Sequence, residues 1–99
     1  TLNSTILSNS ILTNATFIGS DLTNAVLSDA NLTSADLTSA NLSDAKLSDA
    51  DLTNANLTNA DLTNANLTSA ILEGIDLGGA NLTNVIFTGG YRTDDERSH

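Results

Sequence analysis

Catalysis needs a nucleophile with a base beside it, or donor groups converging on a metal, and this 99-residue chain offers few of either. Its one histidine is His99, in an ending Arg97-Ser98-His99 that reads as the start of a vector-derived tag. No Ser-His-Asp arrangement is therefore expected. Ser and Thr are plentiful, but they recur at fixed spacing as repeat filler without a base. Cysteine is absent, which removes disulfides and thiolate metal sites and leaves the redox compartment open. Oxygen ligands are the remaining route to a metal. Asp29 above Asp49, near Asp44, could hold Ca²⁺ weakly, but a solvated acidic column accounts for them better and is adopted here. Neither a metal nor a cofactor is expected. Glu73 and the aspartates are assigned to outward, solvated positions with ordinary acidity. Gly74, Gly78, Gly79, Gly89 and Gly90 read as turn residues, not as a phosphate-cradling loop. The chain is expected not to be an enzyme.

The elements that carry these residues follow from composition and spacing. Hydrophobic residues make up 39% of the chain but aromatics only 3%, with no Trp, Met or Pro. Large aromatic anchors are thus unavailable to the core, which must be built from Leu, Ala and Ile. Three basic and twelve acidic residues give a formal net charge of -9. Direct nucleic-acid binding is excluded on that balance, because phosphate contacts need Lys and Arg. Docking on anionic lipid is excluded for the same reason. No apolar run is long enough to span a bilayer. An acidic surface suits a solvated protein or one that meets a basic partner.

Beginning at Leu2, every fifth residue is Leu through Leu82 except Phe17, and Phe87 closes a series of eighteen repeats. Two residues before each of these lies a second small position, Ala at most repeats from Ala15 to Ala80, with Ile75 and Val85 as larger variants. The unit reads Ala-(Asp/Asn)-Leu-(Thr/Ser)-Xaa. A period of five matches neither a helix nor a flat strand. Within one unit, though, Ala and Leu flank a single polar residue, which is an in-out-in strand segment. The two residues that follow, such as Thr53-Asn54, are turn formers. Segment and bend, repeated, give a coil with Ala and Leu inside. The predicted core columns run through Leu22, Leu32, Leu42, Leu52 and Leu62 and through Ala30, Ala40, Ala50 and Ala60. Asn side chains are expected to ladder between coils. Sequons such as Asn31-Leu32-Thr33 are read as repeat grammar and not as glycosylation sites.

The stretch Ala50-Asp51-Leu52-Thr53-Asn54-Ala55-Asn56-Leu57-Thr58-Asn59 resembles the pentapeptide-repeat family, whose members are abundant in cyanobacteria. The resemblance covers residues 1 to 90. It implies an all-β fold, a right-handed quadrilateral parallel β-helix of about four and a half coils with four repeats each. It also implies a non-catalytic structural or protein-interaction module. Some members of the family mimic duplex DNA and bind type II topoisomerase, which makes gyrase binding the alternative. Against it, this chain is short and has no recognisable C-terminal dimerisation helix. Ice binding through threonine columns such as Thr13-Thr33-Thr53 is a minor alternative.

Four repeats per coil can be tested on charge. Stacked coils lie about 4.8 Å apart, and like charges at that spacing repel. Three repeats per coil would stack Asp21 on Asp36 and Asp36 on Asp51; five would set Asp36 against Asp61. With four, the columns become Asp21-Asn41-Asp61-Asn81 and Asp36-Asn56-Asp76, without adjacent carboxylates. One acidic pair survives, Asp29 over Asp49, with Lys46 on the same face.

Outward positions that are polar in the middle turn apolar near the ends, at Ile6, Ile11, Ile18 and Val26 and again at Ile71 and Ile86. Ile6, Ile11, Val26, Ile71 and Ile86 are the candidate end contacts, toward an unidentified protein partner or a second copy. Phe17 and Phe87 are expected to plug the ends of the core. Residues 91–99 form a charged tail, frayed or partly helical, with Tyr91 folded over the last coil. The chain opens on Thr1, so a trimmed or cleaved upstream segment is expected. Cytoplasm is the default compartment.

Overall fold

The computed structural model describes residues 1–89, so the expectations for Tyr91, the charged tail and His99 lie outside the described residues. From Ile6 onward each repeat contributes one bridging residue, the one just before the inward Leu or Phe, and a turn follows at once. All the bridges are parallel and join residues twenty apart, as in Asn31 to Asp51 and Asp51 to Ile71. A coil therefore holds four repeats. The columns expected from charge are the observed ones, Asp21-Asn41-Asp61-Asn81 and Asp36-Asn56-Asp76.

The backbone is satisfied between coils. The Asp51 N–H donates to Ala30 O on the preceding coil at 2.9 Å, while the Leu52 and Asn54 N–H groups donate to Ile71 O and Glu73 O on the next, both at 2.8 Å. Each corner is closed by a bond such as Ala55 N–H to Leu52 O, 2.9 Å. Its third residue has a positive φ, for example 60° at Asn54, 62° at Asp49 and 60° at Ser69. A four-residue turn with only its third residue left-handed is of type II. Asn, Asp and Gly tolerate that conformation best, and every fifth residue from Ser4 to Gly89 is Asn, Asp, Ser or Gly. At Gly74, φ is +72° and an added Cβ would overlap Oδ1 of Asn54 on the coil below.

Leu and Ala fill the interior. Leu22 through Leu72 and Ala25 through Ala70, at five-residue intervals, are all at most 1% exposed, and the buried core contains no polar or charged residue. Burial falls off in the first and last coils, where Phe17, Ile75, Val85 and Phe87 pack half-buried against this column.

Candidate interaction surface

Because Leu and Ala take the interior, every polar group of the repeat is placed on the outside. The structure shows why the residue before Leu is so often Asp or Asn and the one after it Thr. Asp51 Oδ1 accepts two hydrogen bonds from Thr53, from its backbone N–H at 3.0 Å and its hydroxyl at 2.6 Å. Asn56 does the same with Thr58, at 2.9 and 2.6 Å. This Asx-type clamp spans the inward Leu and locks the entry to the turn. It differs from the expected asparagine ladder: these amide oxygens turn within their own repeat. Thr53→Ala should cost about 1 kcal/mol through the lost hydroxyl bond, while Thr53→Ser, which keeps both donors, should melt within a degree or two of wild type.

The clamp also alters acidity. Asp21, Asp36 and Asp61 are each held below the ordinary aspartate pKa, first by the hydroxyl of Thr23, Thr38 or Thr63 and next by that residue's backbone N–H, against a smaller opposing effect of burial. The Ser43 hydroxyl of the preceding coil adds to the effect at Asp61. The expectation of unperturbed carboxylates therefore fails at these three positions, where the Thr hydroxyl and backbone N–H favour the charged form. A depressed folded-state pKa contributes stability that is present above the unfolded-state value and lost as pH falls through the folded one. Wild type should therefore lose stability below about pH 4. A variant carrying Asp21→Asn, Asp36→Asn and Asp61→Asn keeps the acceptor oxygens, as Asn31 and Asn56 do, and should show a shallower acid limb in thermal melts. Parallel limbs would contradict the assignment.

The four faces differ. Outward on the first are Ile6, Val26, Lys46, Asn66 and Ile86; on the second, Ile11, Asn31, Asp51 and Ile71. The third carries Thr16, Asp36, Asn56 and Asp76, and the fourth Asp21, Asn41, Asp61 and Asn81. On the fourth face every one of these side chains accepts from the residue two positions on. On the first only Asn66 does, since Ile, Val and Lys have no acceptor to offer. Lys46 is the sole Lys or Arg among the described residues. With Asn24, Asp44, Asn64 and Asn66 it lines an open depression of about 380 Å³. The depression is shallow and polar, with no nucleophile-base pair.

The candidate end contacts separate into two groups. Ile6 and Ile11 are 75% and 83% exposed at one end, with Val26 half-buried above Ile6; Ile71 and Ile86 are 42% and 46% exposed at the other. Among the described residues no group of three or more His, Asp or Glu comes together to hold a metal, Asp29, Asp44 and Asp49 included. No helix among them is long and apolar enough to cross a membrane. The threonine hydroxyls of the ice-binding alternative, at Thr33 and Thr53, donate to Asn31 and Asp51 at 2.7 and 2.6 Å, so a free hydroxyl array is not what this face presents. The clamp was open to sequence reasoning, which missed it: an Asx two residues before a Thr or Ser recurs across the chain.

The family model for pentapeptide repeats, of eight copies, matches residues 1–29, 10–49 and 45–84. No curated protein matches in sequence. Among solved structures, a pentapeptide-repeat protein of the cyanobacterium Cyanothece 51142 is 37% identical with a TM-score of 0.89, covering 91% of this chain and 61% of its own. One from Nostoc PCC 7120 is 36% identical with a TM-score of 0.75, over 76% of this chain and 62% of its own. One from the thylakoid lumen of Arabidopsis thaliana is 37% identical with a TM-score of 0.60, over 93% and 71%. The chain thus spans less than two thirds of the length of the two cyanobacterial proteins. The shared fold is the right-handed quadrilateral β-helix.

Proposed function

We propose that this chain, which belongs to the pentapeptide-repeat family, is a non-catalytic protein-binding scaffold that presents acidic side chains to a basic protein partner. The observation that carries this reading is the division of labour in the repeat. The interior is entirely Leu and Ala, and the outward groups are held by clamps and spaced by the coil, which suits display more than turnover. All nine acidic residues among those described fall between Asp21 and Asp76, so the charge forms a belt around the middle coils. A rigid array of this kind attracts a complementary surface and speeds its encounter.

The clamp permits a clean test. Substituting Asn for Asp21, Asp36 and Asp61 removes three charges while keeping the acceptors. A partner recovered from extracts of the source organism, then titrated in purified form, should bind this variant at least about tenfold more weakly than wild type, with the salt dependence reduced. Equal binding by both proteins would remove the belt from the account. Inhibition of gyrase supercoiling by the wild type, relieved in the same variant, would favour the DNA-mimic alternative instead.

A further inference from the structure

Lys46 breaks the pattern of the repeat in the middle of the solenoid. It takes a position where Asx elsewhere clamps the next turn, as Asn66 does one coil on. It is the sole Lys or Arg among the described residues, against nine carboxylates. A lysine in such company ordinarily settles into an ion pair, yet Lys46 makes none among the described residues, although Asp44 stands two residues away. The clamp is given up and no salt bridge replaces it. A local rule broken without an internal gain points outward, to a binding role.

The surface here is concave, the depression of about 380 Å³ that Lys46 lines with Asn24, Asp44, Asn64 and Asn66. Its backbone is already engaged between coils: the Lys46 N–H donates to Ala25 O at 2.9 Å, and Lys46 O accepts from the Leu27 N–H at 2.7 Å. Recognition is therefore left to side chains. The Lys46 ammonium is one donor. Asn66 supplies another, because its Oδ1 is held by the Thr68 N–H at 3.0 Å and by the Thr68 hydroxyl, which leaves Nδ2 for a ligand. The Asp44 carboxylate is an acceptor with no donor of its own among the described residues.

We propose that this depression binds a small zwitterion, with an ammonium and a carboxylate a few bonds apart, as in a free α-amino acid. Charge selects the class. A net anion could pair with Lys46 but must enter the field of nine carboxylates, and a net cation finds better places elsewhere on the acidic surface. A zwitterion carries no net charge to be repelled. Its carboxylate meets Lys46 and the Asn66 amide, and its ammonium meets Asp44. All these groups are solvated, so binding is weak, with Kd in the millimolar range. The inference goes beyond the scaffold reading and does not rest on it.

Titration of glycine into the full chain, followed by two-dimensional NMR, tests the proposal. Glycine should shift the Asn66 side-chain amide and the Lys46 backbone amide saturably. Sodium acetate and methylammonium chloride each carry half of the zwitterion, and at matched ionic strength they should bind at least about threefold more weakly. That comparison uses wild type alone and does not depend on how any variant folds. Lys46→Gln and Asp44→Asn should each weaken glycine binding at least about threefold. Asp44→Asn suits the turn, since Asn24 and Asn64 occupy the same column with φ of 61° and 63°. No saturable shift with glycine up to about 100 mM, acetate binding as tightly as glycine, or unchanged glycine binding in both variants would each overturn the proposal. The protein carrying Asp21→Asn, Asp36→Asn and Asp61→Asn, which tests the scaffold reading, leaves the depression intact and should bind glycine as wild type does. Loss of glycine binding there would assign the shifts to the acidic surface at large and overturn the proposal too.

Discussion

Leu52→Asp is expected to leave the chain unfolded or aggregated at room temperature, with no cooperative melt by circular dichroism. Leu52 is completely buried. Its coil neighbours at the same inward position are Leu32 and Leu72, which are themselves at most 1% exposed. A carboxylate there would have neither water nor a cation. The cost of an unpaired buried charge is several kcal/mol at least, comparable with the total stability of a small domain. The milder Leu52→Ala should cost about 2–5 kcal/mol, because the rigid coils above and below cannot close over the void. A Leu52→Asp protein melting within a few degrees of wild type would show that this position does not face the axis.

The second large effect is expected from overfilling. Ala50 is fully buried and shares its column with Ala30 and Ala70. The coils are tied by backbone bonds of 2.7 to 3.1 Å, so the wall has no room to move outward. Ala50→Leu should therefore destabilise by about 1–3 kcal/mol or more, or aggregate. Larger residues do occupy the equivalent position on two other faces, at Ile75 and Val85, but both are only half-buried. Replacing Ala80 by Val, in that same coil, should be far milder. Equal melting temperatures for the two variants would argue against a close-packed Ala column.

These two residues also show how much of the fold could be read in advance. Leu and Ala at fixed phase announce the inward columns, because nothing but a five-residue coil turns both to one side. The number of sides was legible from electrostatics, since among coils of three, four or five repeats only four keeps Asp21, Asp36 and Asp61 from stacking on one another. The tighter chemistry of the repeat was not. Asp and Asn before Leu read as generic solvent-facing residues, whereas Thr23, Thr38 and Thr63 donate to Asp21, Asp36 and Asp61 and lower their pKa. The left-handed corner was also underread, although Asn54, Asp49 and Gly79 at one phase spell it. The partner is least legible of all. Outward side chains such as Ile6, Lys46 and Ile86 are free of packing constraint, so the fold neither demands nor forbids them. Their meaning comes only from where the coil brings them together.

The twenty-residue register underlies the inward columns and the clamp faces alike. It is most directly tested by inter-coil nuclear Overhauser contacts in solution. The account predicts contacts from the Leu37 amide region to Asn56 and from the Leu42 region to Asp61, mirroring the bonds of 2.7 Å from each leucine N–H to those two carbonyls. If those leucine regions instead contact the residues at the same phase one repeat earlier or later, the solenoid has three or five sides, and the faces described above do not exist.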